Sequence, residues 1–203
     1  MKHLLWLAVL ALIAYATASR AAEDSPVTLL RAPNGGIQPQ AALDAGGVLH
    51  LIYYKGEAKG GDVFYVRRAP GQDAFSEPIQ VNSRPESVMA AGTIRGAQLA
   101  LGRNGRVHVA WNGPAPAPGK WVDAPMLYTR LNDAGDNFEP ERNIITFAAG
   151  LDGGGSVAAD PQGHVYVMWH APKPGHDHGE LNRAVYVARS TDDGQTFAPE
   201  KLA

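Results

Sequence analysis

Short runs in which apolar and polar residues alternate with period two recur along most of the chain. VLHLIYY (48–54), RVHVAW (106–111) and HVYVMW (164–169) are built from β-branched and aromatic residues at alternate positions. DVFYVRR (62–68), MLYTR (126–130) and VYVAR (185–189) follow them in the same style. Alternation of this kind turns one side of an extended segment toward a core, so each run predicts a β-strand.

The runs repeat. Tyr53, Trp111 and Trp169 stand 58 residues apart. Arg67, Arg130 and Arg189 stand 63 and 59 apart, and Phe75, Phe138 and Phe197 each fall eight residues later. Each copy predicts four strands. The first is short and rich in small residues (39–43, 97–101, 156–159), and a Gly-containing turn leads to the second. The fourth (75–81, 138–144, 197–203) begins at the Phe and carries a Pro, which suits an outer edge strand with fewer ladder donors. Small residues innermost and Pro outermost predict an all-β chain of four-stranded antiparallel propeller blades, at about 37–82, 95–145 and 153–203. Residues 27–30 (VTLL) read as a further lone strand.

The turn between the third and fourth strands of the last copy is Ser190-Thr191-Asp192-Asp193-Gly194-Gln195-Thr196-Phe197. Residues 132–138 (NDAGDNF) keep Asp, Gly and Phe, and 69–75 (APGQDAF) keep the Phe. The full turn resembles the Asp box, S-x-D-x-G-x-T-[WF], of the sialidase superfamily of β-propellers. Ser190, Asp192, Gly194, Thr196 and Phe197 then have structural roles. The Asp accepts turn N–H groups, the Gly takes positive φ and the aromatic anchors the hairpin. The resemblance covers 27–203 and implies a six-bladed ring of which this sequence supplies three blades. Missing blades or a second copy would then be needed to close it.

Composition narrows the class. Gly (23) and Pro (15) are abundant, as many turns require, and the net charge of −2 recruits neither nucleic acid nor an anionic membrane. The absence of cysteine excludes disulfides and thiolate chemistry. Lys2 and His3 precede an apolar run over 4–16, followed by Ala16-Thr17-Ala18 or Ser19-Arg20-Ala21 as cleavage site. Residues 1–21 thus read as a secretory signal peptide, with an uncleaved anchor as the alternative, and the protein as exported to the periplasm or beyond the cell. No other membrane association is expected.

Strand parity places the second–third and blade-to-blade connections on one face. These read as long loops (55–61, 82–95, 112–125, 146–155, 170–184), where binding and catalysis concentrate. The resemblance implies an Arg triad on a substrate carboxylate, an Asp acid/base and a Tyr nucleophile activated by Glu. The first family Arg lies in an R-I-P motif; here that stretch is Ile37-Gln38-Pro39, and Arg95 holds the equivalent place in the second copy. Glu57 and Asp62 fall where the acid is expected. The family's Tyr, Glu and remaining Arg residues belong to later blades. Trp121 and Asp123, among prolines, are candidates for a sugar-stacking wall, or for packing within their own loop. His170 is a further candidate contact. With His176, Asp177, His178 and Glu180 it forms a cluster that reads as a solvated polar loop or, because His-x-His and carboxylates ligate divalent cations, as a metal site; the spacing is no zinc signature, so neither metal nor cofactor is expected. Two functions follow from the resemblance: an exo-glycosidase acting on terminal sialic-acid-type glycosides, or a non-catalytic propeller binding glycan or protein.

Overall fold

The computed structural model describes residues 27–91, 96–115, 124–150, 154–177 and 179–203. The signal peptide call, 1–21, lies outside them. The chain divides into two units, Met1–Arg31 and Ala32–Ala203. In the first, residues 27–30 form no strand, contrary to the sequence expectation: a strand exists through a paired neighbour, and these residues have none among those described.

In the second unit twelve strands form three antiparallel sheets, each in simple sequential order. The first sheet comprises β1 (Ile37–Leu43), β2 (Leu49–Glu57), β3 (Gly60–Arg68) and β4 (Ile79–Gln80). The second comprises β5 (Gln98–Leu101), β6 (Val107–Asn112), β7 (Met126–Arg130) and β8 (Arg142–Asn143). The third comprises β9 (Gly155–Ala159), β10 (Val165–Pro172), β11 (Arg183–Ser190) and β12 (Lys201–Leu202). These are three propeller blades of an unclosed ring, with β5 adjoining both β1 and β9 at its inner edge.

The outer strands are much shorter than the alternation predicts. Pro78, Pro140 and Pro199 remove a donor just where the ladder would run, and only two residues pair in each. Two backbone bonds still pin every outer segment. Ser76, Glu139 and Ala198 donate to Arg67, Arg130 and Arg189, and Val81, Ile144 and Ala203 donate to Val63, Met126 and Val185.

The cores lie between blades. Ile52, Tyr54 and Tyr65 of blade 1 meet Val107, Val109 and Trp111 of blade 2. Ala110, Met126 and Tyr128 of blade 2 meet Val165, Val167, Trp169 and Tyr186 of blade 3. In blades 2 and 3 the Phe that follows the turn reaches a Tyr of the preceding blade, whereas Phe75 packs on Leu51, Tyr53 and Val66 of blade 1 itself. Phe138 meets Tyr65 edge-on at 5.7 Å and Phe197 meets Tyr128 at 4.8 Å. Such ring pairs contribute about 0.5–1.5 kcal/mol beyond area burial.

Two glutamates complete the joints. Glu141 accepts from Ser83 N (2.7 Å), Ser83 Oγ (2.5 Å) and Arg84 Nε (2.9 Å). Glu200 accepts from the N–H groups of Thr146 (3.1 Å), Phe147 (2.8 Å) and Ala148 (2.7 Å). Blades 2 and 3 thereby each clamp the loop leaving the blade before them. Burial alone would raise the Glu141 pKa, but the bonds from Ser83 and Arg84 outweigh it and hold the carboxyl near 2.

Candidate functional site

Antiparallel alternation gathers the β2–β3, β6–β7, β10–β11 and blade-to-blade connections on one face, the wide-loop face. Blade 1 departs from expectation there. β2 and β3 stay paired out to Glu57 and Gly60, leaving a two-residue turn, Ala58-Lys59, where 55–61 reads as a loop. Gly56 opposite Gly61 makes this possible: a Cβ on Gly56 would strike the Gly61 backbone, and its φ is 127°.

Glu57 and Asp62 flank this hairpin. The Glu57 carboxylate is exposed, and its carbonyl accepts from the Tyr54 hydroxyl. Asp62 is half-buried and accepts from Asn82 Nδ2 (2.7 Å) and Glu86 N (2.9 Å). Asn82 Nδ2 also donates to the Arg84 carbonyl (2.8 Å), and its Oδ1 takes the Val63 N–H (2.9 Å). Asp62 therefore fastens the 82–86 loop to β3. Tyr54 completes the cluster, and with Glu86 was missed by the sequence reading; only the return of the 82–91 loop brings Glu86 there, and no spacing signals it. Burial first, then the charges of Asp62, Glu57 and Glu86, raise the Tyr54 pKa. Its hydroxyl stays protonated and braces the hairpin.

Beside this cluster a groove of about 490 Å3 runs between the 84–87 loop and the start and end of the β6–β7 connection at Pro114, Ala115 and Pro125. Arg84 projects into it from its bond to Glu141. Ser87 is fixed by the Trp111 indole N–H, which donates to its carbonyl (3.1 Å). Arg95, Trp121, Asp123 and His178 lie outside the described residues. His170 sits within β10, not on a loop. It pairs with Val185 and is half-buried among residues that alternate with those facing blade 2. The structure thus brings Asp62 and Glu57 near one hairpin on blade 1, and places His170 on blade 3. Among the described residues no group of three or more His, Asp or Glu side chains converges as a metal site.

The 190–197 turn lies on the opposite, narrow-turn face. Asp192 accepts from Thr196 N (2.9 Å), Thr196 Oγ1 (2.6 Å) and Ser190 Oγ (2.7 Å), and Gly194 N donates to Ser190 Oγ (2.9 Å). Burial opposes ionisation of Asp192, but these bonds prevail and lower its pKa to about 2. Gly194 has φ 77°, and a Cβ there would run into the Tyr128 hydroxyl of blade 2. The turn is a fastening between blades.

Comparison with solved structures places this fold. A mutant NanB sialidase from Streptococcus pneumoniae matches with TM-score 0.51 at 12% identity, over 78% of this chain and 22% of that one. A Hadza microbial sialidase matches with TM-score 0.51 at 13% identity, over 78% and 36%. The GH93 α-L-arabinofuranosidase of Fusarium graminearum, solved with arabinobiose, matches with TM-score 0.51 at 13% identity, over 87% and 50%. No family model and no curated protein matches the sequence. The fold is a sialidase-like β-propeller, and the chain spans half or less of the length of these three structures.

Proposed function

We propose that the protein is an exported glycan-recognising propeller whose wide-loop face carries the binding site. The observation that carries this reading is the fold shared with two sialidases and an arabinofuranosidase, with a groove on the wide-loop face beside Asp62, Glu86 and Arg84. Hydrolysis of terminal sialic-acid-type glycosides is the finer version, with Asp62 or Glu57 as acid and Arg95 on the substrate carboxylate. The bonds that commit Asp62 to Asn82 and Glu86 favour binding without turnover by this chain. The exported location rests on residues 1–21.

A glycan array and a 4-methylumbelliferyl sialoside assay separate the two. Saturable glycan binding, reduced by Arg95→Ala, with no release of fluorophore supports recognition. Turnover lost on Arg95→Ala supports the glycosidase. An empty array together with no turnover rejects both.

A further inference from the structure

The two glutamate clamps grip equivalent residues one blade apart. Glu141 accepts from the backbone N–H and hydroxyl of Ser83, and Glu200 from those of Thr146. On the wide-loop face each clamp presents the residue that follows. At the first joint this is Arg84, its side chain 65% exposed, and at the second it is Phe147, 61% exposed.

The surfaces beneath them correspond as well. Leu127 pairs with Trp111 in the β6–β7 register as Tyr186 pairs with Trp169 in β10–β11, and both are buried. At the second joint the Phe147 ring stands edge-on to Tyr186 at 6.0 Å. The chain there supplies its own ring. At the first joint the same place holds a guanidinium, whose Nε is drawn 2.9 Å from Glu141. Leu127 receives no ring from position 84, and the groove of about 490 Å3 is left over it.

The walls of this groove say what kind of group it takes. Pro85 is exposed, and Pro114, Ala115 and Pro125 are half-buried; none has a polar side-chain atom. Ser87 has the one hydroxyl among the described lining residues, and it faces Glu141 at 3.5 Å. A pyranose laid against these walls would bury hydroxyls without partners, whereas an aromatic ring would bury only carbon surface. Arg84 and Glu86, both exposed, supply polar groups at the rim. The size suits a small ligand. We propose that the groove holds the aromatic aglycone of a glycoside, its ring over Leu127 as Phe147 is against Tyr186, and its sugar hydroxyls on Arg84 and Glu86. The sugar half of this proposal rests on the glycan reading of the wide-loop face; the ring half rests on the groove.

Calorimetric titration of the full chain tests it with phenyl and methyl glycosides of β-galactose, β-glucose and α-mannose, and with phenol as competitor. At least one phenyl glycoside is expected to bind at least about tenfold more tightly than its methyl counterpart, and phenol to displace it. Arg84→Phe puts a ring where Phe147 stands one joint further on, and should bring the phenyl glycoside down to the methyl level. Arg84→Ala removes the guanidinium without adding a ring, and should keep the preference for phenyl over methyl. Arg68→Ala, whose guanidinium lies over Phe75, should change nothing. Equal affinity of phenyl and methyl glycosides, no displacement by phenol, or an undiminished phenyl preference in Arg84→Phe would each overturn the aromatic site and leave the glycan reading standing. If none of these glycosides binds, the aromatic site is overturned, and an empty glycan array in addition overturns the glycan reading.

Discussion

His108 is fully buried between two blades, with Tyr128 on one nitrogen and Asp193 facing the other. Burial comes first among its influences and lowers its pKa from 6.5 to about 4, against the pull of Asp193. Below pH 6.5 the unfolded chain takes up a proton that the folded chain refuses. The stability tied to this residue is therefore whole above pH 6.5, declines as pH falls, and levels off below pH 4. The shift corresponds to roughly 3 kcal/mol over that window. Thermal midpoints measured from pH 7 to pH 4 should fall accordingly, and the fall should be much smaller in His108→Gln. The sequence carried only part of this. Ser190, Asp192, Gly194 and Thr196 are legible as a turn motif because their bonds are local. Asp193 occupies a variable place in that motif, and its role depends on Arg106, Arg130 and His108, between 63 and 87 residues away in the chain.

Among the elements, the second and third strands of each blade were legible because packing on one or both sides imprints period two. The outer strands were legible only as positions: two anchoring bonds hold each one, and a proline interrupts what lies between. The turn at 58–59 was not legible, since extension of β2 and β3 depends on Gly56 and Gly61 passing one another. Nor were the glutamate clamps, although Pro140-Glu141 and Pro199-Glu200 repeat 59 residues apart; a charged residue in an exposed-looking strand reads as solvated until a neighbouring loop covers it. Blade 1 has Pro78 at the equivalent place, two residues after Ser76. Glu200→Gln tests the clamp. It replaces one acceptor oxygen with a donor facing the N–H groups of 146–148 and should cost about 2 kcal/mol in urea unfolding. The exposed Glu77→Gln should stay within about 0.5 kcal/mol of the parent. The Glu200 pKa is lowered because bonds from Thr146, Ala148 and Phe147 outweigh burial. Its contribution is present above pH 4.5 and disappears as pH falls through the lower folded value, so acid should erase the difference between Glu200→Gln and the parent.

Across Ala32–Ala203 the blades differ in how many sides are covered, and the strand patterns record it. In β6 all six residues are buried, because Val107, Val109 and Trp111 face blade 1 while His108 and Ala110 face blade 3. In β10 burial alternates: Val165, Val167 and Trp169 face blade 2, and Met168 between them is 36% exposed. On blade 1 the side away from blade 2 is covered by Ala32 and Phe75, which pack over Leu51, Tyr53 and Val66. Cooperative opening follows coverage, because exposing a strand requires separating whatever packs on it. Hydrogen exchange should therefore rank the blades. Amides of β6 and β7 should exchange slowest, at rates set by global unfolding. Those of β10 and β11 should exchange faster, and those of β4, β8 and β12 fastest. Trp111→Ala, which removes a fully buried indole and leaves the Ser87 carbonyl without its donor, should cost about 3–5 kcal/mol and speed exchange in blades 1 and 2 together. Met168→Ala should change little beyond blade 3. Equal protection of β6 and β10 would show that blade 3 is covered in solution by something equivalent to another blade.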